Sequence, residues 1–364
     1  MSQVLYRKYR PQTFEELTGQ EHVVRTLQGA LSSGRIGHAY LFSGPRGVGK
    51  TTTARLLAKA LNCDKRQATS DKFNPCNKCP SCTAINDGNS LDIIEIDGAS
   101  NRGIDEIRNL KDSARVAAAS GGYKVFIIDE VHMLTPPAFS ALLKTIEEPP
   151  AHVVFILATT EAHKIPATIL SRVQRFEYKK ITPDQIAERL QKIAKLEKIT
   201  LDKDAAMAIA HSAEGALRDA ESSLTKLVAF AGNEITLDQV TAILGIVPSE
   251  VHLALLKALG ENDKNKSLEL IESLYGSGVN LEVFVKQFIG YLRLALLWKV
   301  EPKLAQASGK LSELEQKQLA GILQNIGNDK MIKITNRLVA IRQELKSSPI
   351  PQLPLELAVI ELTA

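Results

Sequence analysis

Gly44 to Thr51 read GPRGVGKT and satisfy G-x-x-x-x-G-K-[ST] at every fixed position, directly after the apolar run Ala39 to Phe42. This spacing predicts a nucleoside triphosphate site. The loop Gly44, Pro45, Arg46, Gly47, Val48 and Gly49 wraps the phosphates with the backbone N–H groups of its non-proline residues, and its three glycines supply the bends. Lys50 then neutralises the β/γ oxygens, Thr51 places a hydroxyl on Mg²⁺, and Thr52 continues the helix that starts there. The helical segment Lys50 to Leu61 turns its positive end toward the phosphates. A glycine-rich turn that binds nothing is the competing reading, and the strand, loop and helix context argues against it.

A second set of residues fits the same chemistry. FIIDEVH ends an apolar strand in Asp129 and Glu130, about 80 residues after the phosphate loop. A central strand delivers such a pair to the carboxyl edge of its sheet, where Asp129 holds Mg²⁺ and Glu130 orients or deprotonates the attacking water. A solvated turn is the alternative. ILATTE puts Thr159 and Thr160 at the end of the following strand, where a hydroxyl could sense the γ-phosphate, although threonine in a strand is ordinary. Arg172 in SRV and Arg218 in GALRDA offer guanidinium forks suited to phosphate. On residue chemistry alone, a solvent salt bridge is the better account of either.

The four cysteines lie within twenty residues as Cys63, Cys76, Cys79 and Cys82, the last three spaced C-x-x-C-x-x-C. Four thiolates at this spacing predict a closed, structural Zn²⁺ site stapling a segment with little hydrophobic sequence of its own. Disulfides suit a cytoplasmic chain poorly. An iron–sulfur cluster fits the spacing, but nothing else in the chain suggests redox chemistry.

These residues need a scaffold, and the pattern supplies one. From Ala39 to Tyr178, strand-like runs (AYLFSG, DIIEID, KVFIID, VVFILAT, QRFEY) alternate with helical segments, which predicts a parallel α/β sheet. KVFIID and VVFILAT are apolar almost throughout, as central strands covered on both faces should be. From Thr182 the period changes to 3.6, giving a small helical domain and, after Gly245, a second all-helical one. The expected division is 1–180 for the sheet domain with a zinc module at about 62–84, 181–245 for a helical lid, and 246–364 for the C-terminal helices. At 364 residues, two or three domains are expected from about 100 to 200 residues each. A hydrophobic share of 44% and a charged share of 24% are ordinary globular values. The net charge of +4 is compatible with nucleic acid but does not establish it. The amino end lacks the apolar stretch of a secretion signal, so the cytoplasm is the expected location and no membrane partner is expected.

Phosphate loop, cysteine quartet, DEVH, LATTE, SRV and GALRDA occur in that order, together with LYRKYRPQTFEELTGQEHVV, ALLKTIEEPP and ILSR. In this the chain resembles the gamma/tau subunits of bacterial DNA polymerase III clamp loaders, closely over about residues 1 to 245 and more weakly beyond. The resemblance implies an AAA+ ATPase that joins delta and delta-prime type subunits and copies of itself in a ring of five. Such a ring opens a sliding clamp and places it on primed DNA, using ATP and Mg²⁺, as part of a polymerase holoenzyme in which this subunit does not polymerise. It implies Arg172 as an arginine finger acting on a neighbour's ATP, worth roughly 10³ to 10⁵ in rate. Val173 stands where the family's motif has cysteine. Thr160 aligns as sensor 1, Arg218 as sensor 2, and Tyr9, Arg10 and Pro11 as the residues that pack the adenine. Arg102, Arg108 and Lys111 fall on the helix that faces duplex, where contacts to the backbone would suit them. A solvated helix face is the alternative for these three. The chain stops just after the collar-like helices, as a short gamma form or a shortened tau form would.

Three other functions compete. DEVH also reads as a helicase DExH box, but residues 182 to 364 lack the pattern of a second α/β lobe. A module that binds ATP without turnover conflicts with the full set Lys50, Thr51, Asp129 and Glu130. A small-molecule kinase leaves Arg172 and the cysteines without a use.

Overall fold

A computed structural model describes residues 4–64, 67–69, 72–119, 121–306 and 313–364. It falls into two compact units, one ending at Thr236 and the other Leu237–Ala364.

The first unit is built on five parallel strands: β1 (Ala39–Ser43), β4 (Ile93–Asp97), β5 (Lys124–Asp129), β6 (Val153–Thr159) and β7 (Gln174–Glu177). A two-stranded hairpin, β2 (Gln67–Thr69) and β3 (Lys72–Asn74), lies between β1 and β4 in sequence. The sheet order is β4-β5-β6-β1-β7, so the chain crosses from β1 to the far edge and returns strand by strand to fill the gap. β6 is buried at every position and β5 at all but its last, in keeping with their largely apolar sequences. One face packs against α3 (Lys50–Asn62) and the other against α5 (Ile104–Ala114) and α6 (Pro136–Glu147). Phe126 and Phe155 stack across β5 and β6 with centroids 5.3 Å apart, a contact worth about 1 kcal/mol beyond its area. Because β1 is flanked by β6, with Ser43 beside Thr159, and β6 by β5, with Leu157 beside Ile128, the carboxyl ends of three central strands line up along one edge.

The same unit contains the short N-terminal helix α1 (Leu5–Lys8), α2 (Glu21–Ser32), α4 (Pro80–Asn86) and α7 (Ala167–Leu170). Its lid comprises α8 (Pro183–Glu197), α9 (Lys203–Ser212) and α10 (Leu217–Ala231). The α8 start carries a full capping box, in which Gln185 N–H donates to the Thr182 hydroxyl and the Gln185 side chain accepts from the Thr182 N–H. The lid also holds a two-residue parallel pairing, Thr200–Leu201 with Glu234–Ile235, too short to register as a strand pattern in the sequence.

The second unit is helical: α11 (Leu237–Leu244), α12 (Ser249–Gly260), α13 (Lys264–Gly276), α14 (Leu281–Val300), α15 (Pro302–Gln306), α16 (Glu313–Gln324), α17 (Asn328–Ser347) and α18 (Leu353–Leu362). α11 groups with this unit, eight or nine residues before the expected division at Gly245. Its core gathers Leu256, Phe284, Phe288, Leu292, Ile334 and Ile341. Among the described residues, no single helix is long and apolar enough to cross a membrane.

Candidate functional site

The phosphate loop joins β1 to α3. Gly44, Gly47 and Gly49 have φ of 145°, 76° and 103°, the left-handed region that side chains avoid. Space is equally restrictive: a Cβ on Gly44 would lie 2.5 Å from the Tyr178 carbonyl, and one on Gly47 would lie 2.9 Å from the Ala216 Cβ on the lid. Lys50 donates to the carbonyls of Gly44 (2.8 Å) and Pro45 (2.7 Å), which holds the ammonium beneath the loop. Its burial lowers its pKa, against the pull of Glu130 and Asp129.

Two other strand ends complete the centre. The Thr51 hydroxyl donates to Asp129 Oδ2 at 2.6 Å, and the Glu130 N–H donates to Asp129 Oδ1 at 2.9 Å. Glu130 takes φ 45° immediately after β5, a left-handed conformation that costs a non-glycine residue about 1 kcal/mol or more. Of the two threonines ending β6, Thr160 reaches Glu130 Oε2 at 3.1 Å. Thr159 is fully buried and belongs to a supporting bridge: its hydroxyl oxygen accepts from the Glu161 N–H (3.0 Å) and lies 3.0 Å from His132 Nδ1, while His132 Nε2 is 3.0 Å from Glu161 Oε2.

Lysine, acids and loop open onto a cleft of about 350 Å³. Arg46, Gly47, Val48, Gly49, Lys50, Thr51, Thr52, Asp129 and Glu130 line it, whereas Gly44 and Pro45 at the start of the loop do not. So do Arg10 and Pro11 from the N-terminal segment and Arg218 from the lid. The Arg218 N–H donates to the Gly47 carbonyl at 3.4 Å, and its guanidinium lies 4.8 Å from the Tyr6 ring centroid, so the start of α10 sits over the loop.

Tyr9 is a correction. It does not line the cleft; Lys8 Nζ lies 5.5 Å from its ring centroid and its carbonyl accepts from Arg189 Nη2 at 2.6 Å. Tyr6, on the short helix α1 that ends at Lys8, lines the cleft instead, beside Arg10 from the segment that follows. The sequence reading missed Tyr6, and it missed Glu221, which lines the cleft from α10. Helical spacing of three and four from Arg218 and Leu217 was the signal available for Glu221.

Arg172 stands apart, in a separate cavity of about 400 Å³ with His38, Ile146 and Gln174. Its Nε lies 2.8 Å from Glu147 Oε1, and Nη1 donates to the Thr168 carbonyl and the Ser171 hydroxyl, both at 2.9 Å. Of the three cations expected to face duplex, Arg102 and Arg108 are exposed and Lys111 is half-buried. Arg102 donates to the Met133 carbonyl (3.1 Å), and Arg108 pairs with Asp105 (2.8 Å).

Cys63, Cys76, Cys79 and Cys82 converge with all four sulfurs within 4.8 Å of one another. All are free thiols. Backbone N–H groups are turned onto the sulfurs: Cys76 N–H donates to Cys63 Sγ (3.3 Å), Cys79 N–H to Cys76 Sγ (3.3 Å) and Cys82 N–H to Cys79 Sγ (3.4 Å). The Lys78 N–H, with that of Cys79, lowers the Cys76 pKa to about 6 against its burial, whereas burial raises that of Cys82. Next to the cluster, buried Lys59 donates to Gln12 Oε1 (2.7 Å) and Asn86 Oδ1 (2.8 Å), tying α3, α4 and the N-terminal segment together.

Three family models match successive parts of the chain. Residues 19–182 match the family model described as DNA polymerase III, delta subunit, and 185–233 match the DNA polymerase III clamp loader subunit, ATPase lid domain. Residues 235–364 match DNA polymerase III subunits gamma and tau domain III. The DNA polymerase III subunit tau of Bacillus subtilis is 42% identical over 99% of this chain and 63% of its own length. The subunit gamma of Buchnera aphidicola subsp. Acyrthosiphon pisum is 37% identical over 99% of this chain and 98% of its own. The chain thus spans under two thirds of the tau subunit and nearly all of the gamma subunit. Among solved structures, the Thermotoga maritima RuvB Holliday junction branch migration motor matches with a TM-score of 0.48 and 23% identity, over 69% of this chain and 79% of that one. With near-complete coverage of a gamma subunit at this identity, the chain belongs to the DNA polymerase III gamma/tau family.

Proposed function

We propose that the chain is an ATP-hydrolysing motor subunit of a clamp loader, working in the cytoplasm in a ring with delta and delta-prime type subunits and further copies of itself. The observation that carries this reading is one cleft uniting Lys50, Thr51, Asp129, Glu130 and the lid residue Arg218. Glu130, oriented by Thr160, is suited to take the proton of the attacking water. Lys50 and Arg218 bring positive charge to the β/γ oxygens, and Arg218 couples nucleotide to lid position. Thr51 and Asp129, two oxygen donors already hydrogen-bonded to each other, fit a Mg²⁺. When bound, that ion neutralises charge between the phosphates. The separate position of Arg172, anchored by Glu147, supports a role on a neighbouring subunit's ATP.

The cysteine quartet fits Zn²⁺: four thiols converge, their sulfurs accept backbone N–H bonds, and one thiol is acidified. The ion would serve as a staple, since a fourth thiolate closes its coordination. Sliding clamp and primed DNA are the proposed partners of the ring, with Arg102, Arg108 and Lys111 as backbone contacts.

Steady-state ATP hydrolysis by the reconstituted ring, with and without clamp and primed DNA, tests the reading. Stimulation by clamp plus primed DNA that is lost in Arg172→Ala, with ATP binding retained, is expected. Turnover indifferent to both would reject the loader assignment.

A further inference from the structure

Glu221 is a buried carboxyl, 6% exposed, on the wall of the nucleotide cleft, and the chemistry of phosphate transfer leaves it without a task. Glu95, Asp129 and Glu130 line the cleft from the sheet edge, whereas Glu221 lines it from the lid. Its position along α10 decides which part of a nucleotide it meets. The Arg218 N–H is bonded to Gly47, so the first turn of α10 covers the phosphate loop, and Glu221 follows roughly 5 Å further along the axis. Leu217, four residues earlier, shares its helix face. With Pro11, Leu17 and Ile181, Leu217 forms an apolar wall of the kind that takes a flat base.

The carboxyl also retains acceptor capacity. Its cationic neighbour, Arg189 Nε from α8, lies 3.8 Å away, beyond hydrogen-bond distance, and that Nε is itself buried without a hydrogen-bond partner. Burial raises the Glu221 pKa to about 7, with Arg189 only partly opposing it. Protonated or ionised, the group presents an accepting oxygen.

We propose that Glu221 is a base-reading residue, accepting a hydrogen bond from the 6-amino group of an adenine seated against Pro11, Leu17, Ile181 and Leu217. The inference rests on the nucleotide-site reading above and adds to it the residue that recognises the base.

The test is a two-by-two comparison of affinities of the full chain for ATP and for purine riboside 5′-triphosphate, which lacks only the 6-amino group, using wild type and Glu221→Ala. Wild type is expected to bind ATP about tenfold more tightly than the analogue, the scale of one buried hydrogen bond. Glu221→Ala should bind the two alike, and Glu221→Gln, whose amide oxygen still accepts, should keep the preference. Equal binding of both nucleotides by wild type, a comparison that needs no variant to fold, would overturn the inference while leaving the site intact. A preference surviving in Glu221→Ala would do the same and point to a backbone acceptor. Failure of wild type to bind either nucleotide would instead remove the site reading, and this inference with it.

Discussion

Thr160 donates its hydroxyl to Glu130 across 3.1 Å, each being the first residue after a different strand. The bond exists because β5 and β6 are adjacent and end at the same edge, and because Glu130 adopts φ 45°. It separates two threonines that look equivalent in the sequence. Thr160→Val should lower hydrolysis in the reconstituted ring roughly 10-fold or more while leaving ATP affinity unchanged, since it removes the group that orients a base. Thr159→Val should act on stability instead, by about 1–3 kcal/mol, because it removes the hydroxyl partner of the Glu161 N–H and of His132 Nδ1. Parallel measurements of turnover and of the urea midpoint distinguish the two; reversed effects would exchange the assignments.

The Thr51–Asp129 bond of 2.6 Å predicts a metal-dependent phenotype. Thr51→Val keeps the volume of the side chain but removes the oxygen donor. Its nucleotide affinity in EDTA should match that of wild type, while the tightening on adding Mg²⁺ shrinks roughly tenfold. Titration with ATP in both conditions checks this, and an unchanged Mg²⁺ effect would show that Thr51 does not serve the ion.

Three contacts fix the Arg172 guanidinium, to Glu147, Thr168 and Ser171. A lysine cannot reproduce that planar fork. In the ring, Arg172→Lys should therefore lose roughly 10³-fold in turnover, close to the alanine variant, with nucleotide binding intact. Recovery of most of the activity by lysine would mean that charge alone suffices.

Much of this was legible in the sequence because it depends on local rules. The phosphate loop needs glycines where φ is positive, and the sequence has them at 44, 47 and 49. Strands buried on both faces need largely apolar sequences, and KVFIID and VVFILAT are apolar in their interiors. The cysteine spacing alone anticipated convergence of four sulfurs. What the sequence could not convey was direction. Whether Tyr6 or Tyr9 meets the cleft depends on where a four-residue helix stops, and terminal residues of short helices are poorly specified by pattern. Which threonine meets Glu130 depends on the register and end of β6. For Glu221 the helical spacing from Arg218 was a weak signal, because a charged residue so placed normally faces water and only the placement of the lid over the loop buries it.

For the cysteines, Cys82→Ser should lower the metal content of the purified chain from about one Zn²⁺ to substoichiometric. Extraction by a chelator should cooperatively lower the melting temperature of wild type and have little effect on the variant. Wild type purified in zinc-replete conditions without stoichiometric zinc, or carrying iron with a visible charge-transfer band, would reject the zinc reading.

The raised pKa of Glu221 makes lid stability depend on pH, and the direction follows from linkage. Burial pushes the folded-state value up to about 7 from an ordinary 4.5, with Arg189 from α8 as the charged group facing it. The folded state therefore holds its proton more tightly than the unfolded chain, so folding is favoured at low pH. The favourable contribution is fully present below about 4.5, declines as pH rises toward 7, and is gone above it. At about 1.4 kcal/mol per unit, the swing is on the order of 3 kcal/mol. Glu221→Gln carries no ionisable group and escapes it. The variant and wild type should unfold at similar urea concentrations near pH 5, and the variant should be the more stable near pH 8. Unfolding of the nucleotide-free full chain, followed by a probe in α10, measures the difference. A gap between the two proteins that stays constant from pH 5 to 8 would mean that Glu221 remains ionised throughout, held by Arg189 at closer range than 3.8 Å.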